Sequence, residues 1–248
     1  MGNQQLLTLL NVKVQRLKKE NKYYMPKKNL EKLNKYQRKL ILDMLIGDGS
    51  LTSDGRLRFK HSIQQEEYVL WKEKLLNEAG IETHIQYSDH FTFGKTHKDI
   101  RVGTKACIAT KHMRHFLYRP NKFLFYPSFF KHLDDLSIAI WYMDDGSYCK
   151  THKKNDYGYI RLYTCVPEEQ NKLIQQFFKE KYDIDFLIKH RGANDLAKVP
   201  NRNCLLTHIE THLKKDTEKF ISIVKPYVEQ ISIFKYKIDK DTFMSDCI

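Results

Sequence analysis

The chain has 248 residues, with 43 Lys and Arg against 30 Asp and Glu and a formal net charge of +13. That length supports one large or two small domains with a real core. The positive excess points to a polyanion partner, nucleic acid first, and no stretch approaches the about 20 apolar residues of a membrane span.

The first 39 residues hold eleven Lys or Arg against only Glu20 and Glu31, and residues 6–17 have helical periodicity. A helix lying on the protein body or on DNA backbone is preferred here to an organelle transit segment. Asn34 is placed to cap a helix running to Gly47. Residues 51–62 then alternate around Asp54-Gly55, a hairpin turn signal. Residues 65–79 read as a helix closed by Gly80. Residues 81–87 and 100–104 read as strands and 105–117 as a helix. A second series begins near Tyr126-Pro127. It reads as a helix over 136–144, a hairpin over 147–164, a helix over 168–182, strands over 184–190 and 203–207, and a helix over 213–224 ending at Pro226. Trp71 and Trp141 are expected in the core.

The two series are one pattern repeated. Leu45-Ile46-Gly47-Asp48-Gly49-Ser50 ends the first apolar helix, and Tyr142-Met143-Asp144-Asp145-Gly146-Ser147 ends its counterpart. A shift of 103 residues lays Gly55-Arg56-Leu57-Arg58-Phe59 on Gly158-Tyr159-Ile160-Arg161-Leu162, and Ile81 on Ile184. The two aspartates are only 97 apart, so residues 151–156 are extra hairpin-loop residues in the second copy. Helix-strand-strand-helix-strand-strand-helix, twice, is an α+β fold with two antiparallel sheets. A carboxylate at an apolar helix end is costly without a partner, and a bound cation is the usual one. Two such ends imply two half-sites meeting at one centre.

Five scattered cysteines, Cys107, Cys149, Cys165, Cys204 and Cys247, contain no CxxC pair. They fit free thiols in a reducing, intracellular setting, either organellar or bacterial or phage cytoplasm. Cys149, His152 and Cys165 match no zinc spacing, and His112/His115 and His208/His212 read as surface or groove histidines.

Residues 33–238 resemble the LAGLIDADG homing endonucleases, in particular the monomeric branch that includes the yeast mitochondrial omega-type enzymes. Leu33-Asn34-Lys35-Tyr36-Gln37-Arg38-Lys39-Leu40 is similar to that branch's lead-in to its first motif. Phe59-Lys60-His61-Ser62 with Gln65-Glu66-Glu67-Tyr68 resembles its post-hairpin segment. Ser137 to Gly146, SIAIWYMDDG, resembles its second motif. The resemblance implies two pseudo-symmetric halves, 33–122 and 123–248, behind a basic extension, 1–32. Their motif helices would pack side by side, and each half would spread a curved antiparallel sheet over the major groove. Ser137 and Ala139 suit close helix packing; Leu42 and Asp43 depart from it.

The same resemblance implies a monomeric, site-specific double-strand DNA endonuclease that cuts across the minor groove and leaves short 3′ overhangs. Its target would be long and mostly asymmetric, and no membrane is involved. Asp48 and Asp145 would hold Mg²⁺ (Mn²⁺ substituting, Ca²⁺ binding without cleavage), with the carbonyls of Gly47 and Asp144 completing the coordination. Lys122 and Lys235 match the branch's two basic positions, with Lys237 as the alternative to Lys235. Arg56, Arg58 and Lys60, two residues apart, share a strand face for DNA, with Arg161, Lys189, Arg191 and Arg202 as counterparts. An intron-encoded or free-standing gene is favoured over an intein, because no splicing motif flanks the chain. Two alternatives stay open: an RNA maturase assisting intron splicing, and a catalytically silent DNA-binding regulator.

Overall fold

A computed structural model describes residues 33–92, 94–118, 125–149, 158–164, 166–190 and 207–238. The basic extension, Lys122, His152, Cys165, Arg191, Arg202 and most of the strand expected over 203–207 lie outside the described residues.

Asn34 opens α1 (Lys35–Leu45) through a capping box. Its Oδ1 accepts the Gln37 N–H at 2.8 Å, and its own N–H donates to Gln37 Oε1 at 2.9 Å. A tight turn at Gly55 (φ +87°) joins β1 (Ser50–Leu51) to β2 (Leu57–Ser62). A side chain on Gly55 would meet the Cys107 carbonyl at 2.5 Å. Then follow α2 (Glu66–Glu78), β3 (Thr83–Thr92), β4 (Lys95–Thr104) and α3 (Ile108–Leu117). The second half opens on a short helix, α4 (Pro127–Phe130). It continues with α5 (Asp135–Asp145), β5 (Gly146–Cys149), β6 (Tyr159–Leu162) and α6 (Glu168–Tyr182). It ends with β7 (Phe186–His190), β8 (Thr207–Thr211), α7 (Lys214–Val228) and a 3₁₀ turn, Ser232–Lys237.

Two antiparallel four-stranded sheets result, ordered β1-β2-β4-β3 and β5-β6-β8-β7. The α+β expectation of two like halves holds, and strand register shows how the copies diverged. The offset is 97 at Asp48 and Asp145 and 103 where Arg58 and Arg161 occupy matching positions of β2 and β6. It reaches 107 where Thr104 and Thr211 pair with the first residues of β3 and β7. Each hairpin of the second half is therefore longer than its counterpart, by six and then by four residues. The repeat extends to the backbone: Gly80 closes α2 in the left-handed region (φ +76°), and Asp183, 103 residues on, closes α6 there (φ +51°). Asp183 is not a glycine, and its carboxylate is held by Lys179 at 3.0 Å and Lys219 at 2.6 Å.

Three boundaries differ from expectation. β3 and β4 extend to Thr92 and from Lys95, where residues 88–99 read as loop. Both sides of that hairpin face solvent, so apolar alternation is lost while the backbone ladder continues. β8 runs on to Thr211, past Thr207 where the strand was expected to end. Pro226 lies inside α7 rather than after it. The missing N–H falls in the last turn, and burial of Val224 and Val228 on one face carries the helix through.

The halves meet along α1 and α5. Residues 137–143 of α5 are all buried, as are Leu40, Ile41 and Met44 of α1. Ser137 and Ala139 permit the approach, and Asp43 is used rather than merely tolerated. Ser137 Oγ donates to Asp43 Oδ1 at 2.6 Å, while Lys39 Nζ bridges Asp43 and Asp134, each at 2.6 Å. Burial first, opposed chiefly by Lys39, pushes the Asp43 carboxyl up to about 6. Trp141 is in the core, against Phe125 and Phe178. Trp71 instead sits half-buried at the edge, stacked on Tyr68, its Nε1 donating to Gln230 Oε1 at 3.1 Å.

Candidate active site

α1 and α5 deliver their C-terminal ends to the same place. Gly47 and Asp144 occupy matching positions of the two motifs and touch. A Cβ on Gly47 would lie 2.2 Å from Asp144 Oδ2, so only glycine fits. One residue on, the Asp48 N–H donates to the same Oδ2 at 3.0 Å. The second motif's Asp144 thus fastens the end of the first.

Asp144 has no exposed side-chain surface and is paired with Lys72 of α2, whose Nζ lies 3.0 Å from Oδ1 and 3.3 Å from Oδ2. Burial alone would raise the Asp144 carboxyl; Lys72 and the Asp48 N–H outweigh it and hold it low. Lys72 is walled by the Phe59 and Tyr68 rings, 4.6 and 4.3 Å from their centroids. Its Nζ also lies 2.9 Å from His61 Nε2. An ammonium only donates, so Nε2 accepts, and the ring proton sits on Nδ1, which faces Gln65 Oε1 at 2.8 Å and Asp48 Oδ2 at 3.7 Å. Burial and then Lys72 push His61 down to about 4, which keeps it neutral.

The remaining acids are held more loosely. Asp145 has no hydrogen-bond or ion-pair partner for its carboxylate among the described residues. Burial, then Asp144 and Asp48, push it up to about 8. Asp48, its side chain 46% exposed, is also raised, by burial and then Asp144. Facing them is Lys237, buried in the 3₁₀ turn, its Nζ donating to the carbonyls of Met143 at 2.6 Å and Tyr142 at 3.2 Å. Burial lowers it to about 8, against the pull of Asp144, Asp145 and Asp48.

These residues fit a divalent cation at Asp48 and Asp145. Both are hard oxygen donors, raised by burial and then by the neighbouring acids, and neither carboxylate accepts a hydrogen bond from an N–H among the described residues. Asp48, His61 and Asp144 also offer ligand atoms within 4.8 Å of one another. On that side, however, the Lys72 ammonium already stands between His61 and Asp144.

The four residues expected at the centre, Gly47, Asp48, Asp144 and Asp145, are brought together. Lys235 is exposed, near Glu67, and does not reach it; Lys237 does. Two residues along a 3₁₀ helix put the side chain on a different face, about a third of a turn away. His61 and Lys72 escaped the sequence reading although both leave a signal. His61 occupies an inward position after Leu57 and Phe59, and Lys72 sits on the buried stripe between Tyr68 and Leu76.

The outer faces of the sheets carry the expected cations. Arg58 and Lys60 alternate outward on β2, joined by Arg101 and Gln86 directly across the ladder. Arg56 lies back in the turn, paired with Asp54 at 2.9 Å. Arg161 and Lys189 face outward on β6 and β7. Two of these cations are already engaged within the sheet. Lys60 bonds Asp99 at 2.7 Å, and Arg161 bonds Glu210 at 2.7 Å.

A model of the LAGLIDADG DNA endonuclease family matches residues 38–204. The chain is 26% identical over 210 residues to a protein RecA of Mycolicibacterium chitae, covering 79% of this chain and 45% of that protein. It spans about half the length of the curated RecA relatives it matches. It is 24% identical over 226 residues to a probable intron-encoded endonuclease 1 of Wickerhamomyces canadensis, covering 86% of this chain and 87% of that one. Its fold is similar to that of the homing endonuclease I-WcaI solved bound to its DNA recognition sequence. That match has a TM-score of 0.67 and 19% identity, covering 84% of this chain and 87% of that one.

Proposed function

The chain belongs to the LAGLIDADG DNA endonuclease family, and we propose that it is a site-specific, divalent-metal-dependent endonuclease that hydrolyses both strands of double-stranded DNA. The observation that carries this is the pair of equivalent helix ends, which bring two carboxylates raised above their usual range, Asp48 and Asp145, to the seam between two cation-bearing sheets.

In this reading Asp48 and Asp145 hold Mg²⁺, with Mn²⁺ able to replace it, and the carbonyls of Gly47 and Asp144 add ligands. The metal would supply a polarised phosphate and an activated water. Lys237 Nζ, lowered by burial to about 8, stands where it can give or take a proton as charge develops. Lys122 is the counterpart proposed for the other strand. The halves 33–122 and 123–248 each read one half of a long, mostly asymmetric site, as a monomer, through Arg58, Lys60, Arg161 and Lys189 with Arg191 and Arg202. The name of the Wickerhamomyces relative supports a mobile-intron origin.

Asp48→Asn and Asp145→Asn test this. Each should lower Mg²⁺-dependent cleavage by at least about 10³-fold, the scale of losing several kcal/mol of charge stabilisation. Specific binding should remain, and Ca²⁺ should support binding without cleavage. Either variant cutting at the wild-type rate refutes the assignment. Binding should also weaken steeply with salt as phosphate contacts release counterions.

A further inference from the structure

Among the cations on the outer faces of the sheets, Arg161 is held by the largest number of contacts. Tyr159, Arg161 and Tyr163 alternate outward along β6 and the residue after it, while Ile160 and Leu162 point into the core. The guanidinium lies between the two tyrosine rings, 5.7 and 5.8 Å from their centroids. Its Nε donates to Glu210 Oε1 at 2.7 Å, directly across the ladder. One terminal nitrogen donates to the Tyr163 hydroxyl at 3.2 Å and the other to the Tyr159 hydroxyl at 3.0 Å. Glu210 is steadied in turn by His208, whose Nε2 donates to the same oxygen at 2.9 Å. Burial would raise the Glu210 carboxyl; His208 and Arg161 outweigh it and hold it low, so it stays ionised.

This arrangement decides what Arg161 can offer DNA. Its charge is matched by Glu210, and a matched charge gives little to a phosphate, where attraction depends on neutralising the backbone. A guanidinium carries five N–H groups, two on each terminal nitrogen. The three bonds above use one N–H each, so each terminal nitrogen keeps one to give. A pair of N–H groups in that planar fork is what the guanine edge accepts at O6 and N7. With 28% and 13% of their side-chain surfaces exposed, Arg161 and Glu210 form a shielded pair that still leaves Arg161 open to a ligand. The first sheet is built differently at the same place. Arg58, which matches Arg161, faces Gly103 across the ladder, and the His84 ring lies 2.6 Å from where a Cβ on Gly103 would be.

We infer that Arg161 reads one guanine in the second half of the target, and that Glu210 is the positioning residue which, with Tyr159 and Tyr163 beside it, holds the arginine fork for that base. This rests on the DNA-binding part of the reading above. A donor fixed before binding loses less freedom on binding, so its contact discriminates more sharply than that of a freely moving arginine.

The test selects binders from a randomised duplex library without Mg²⁺, so that nothing is cut, and then measures affinity for every single-base change in the selected site. Glu210→Ala should weaken the preference for guanine at one base pair by about 10-fold, the scale of one bidentate contact. It should also tighten binding to unrelated DNA and steepen the salt dependence by about one counterion, because an arginine charge is released. Glu210→Gln, whose Oε1 can still accept the Nε–H, should keep most of the preference. Arg161→Met should lose the preference at the same base pair, and serves if Glu210→Ala does not fold.

A loss spread evenly over all base pairs overturns the inference, as does a base other than guanine at the affected position. If the pair Arg161→Met and Glu210→Gln together flatten the salt dependence by a full counterion, Arg161 is a phosphate contact and the inference fails. A wild-type protein that selects a site but does not cut it with Mg²⁺ refutes the endonuclease reading and leaves this one standing. One that prefers no base at any position refutes this one.

Discussion

The ends of α1 and α5 carry the same Asp-Gly-Ser and yet differ in charge environment. Asp48 is half in solvent, with its backbone tied to Asp144. Asp145 is enclosed, without a hydrogen-bond partner for its carboxylate among the described residues, and pushed up to about 8. The difference comes from one position. Where the first motif has Gly47, the second has Asp144, and the carboxylate of the second fills the space the glycine leaves. That carboxylate recruits Lys72, and with it His61, to the Asp48 side, while Asp145 faces Lys237. Duplication therefore supplies a pair of acids, and a single departure from symmetry decides how each is held.

The largest expected effect separates the two lysines of the last turn. Lys237→Met should slow cleavage about 10²–10³-fold, the usual cost of removing one preorganised charge-stabilising group. Lys235→Met should stay within about threefold, since an exposed lysine outside the centre contributes little. Comparable rates for the two variants would erase the distinction between them.

Gly47→Ala should come next. The new methyl has no room beside Asp144, which Lys72 prevents from moving, so destabilisation of about 2–3 kcal/mol is expected in chemical denaturation. Adding Asp144→Ala should recover part of that loss. If it recovers none, the close contact between the halves is not what excludes a side chain.

On the sheets, Arg58→Ala should cost about 1–2 kcal/mol in DNA binding and flatten the salt dependence by about one counterion. Lys60→Ala should cost less, because Lys60 is already neutralised by Asp99. Equal losses would show that the Lys60–Asp99 pair opens on the DNA.

The smallest effect is in pH dependence. Asp43 and Asp145 have folded pKa values above their unfolded ones, so these two groups bind more protons in the folded state, Asp43 up to about pH 6 and Asp145 up to about pH 8. The contribution of these two groups to stability without metal should therefore fall as pH rises, through about 4–6 for Asp43 and on toward 8 for Asp145, by at most about 1.4 kcal/mol per pH unit for each group, while His61, held down at about 4, contributes the opposite slope below its ordinary 6.5. Asp43→Asn should flatten the lower part of that profile and Asp145→Asn the upper part. Melting temperatures in EDTA across this range would read both.

Most helices were legible because their signals are local. Asn34 with Gln37 marks one start, and Gly80 marks one stop. The strands fared worse where both faces are wet, as between Ser88 and Asp99, because alternation reports burial rather than hydrogen bonding. Asp48 and Asp145 could be found because a repeated carboxylate at an apolar helix end has few structural uses. Lys237 against Lys235, and Lys72 with His61, depend on which side chains turn inward at a seam between segments far apart in the chain.

The sequence by itself determined two αββαββα halves, their repeat, and the two acids at corresponding helix ends. Periodicity, capping and turn chemistry act over a few residues and survive duplication. Tertiary structure alone decided that Asp43 pins α1 to α5 through Ser137, and that Asp144 serves the other half's aspartate. It also decided that one buried lysine sits behind Asp48 and another beside Asp145. The strength and sign of an electrostatic interaction depend on distance and burial, and both are set only when segments nearly a hundred residues apart are packed together.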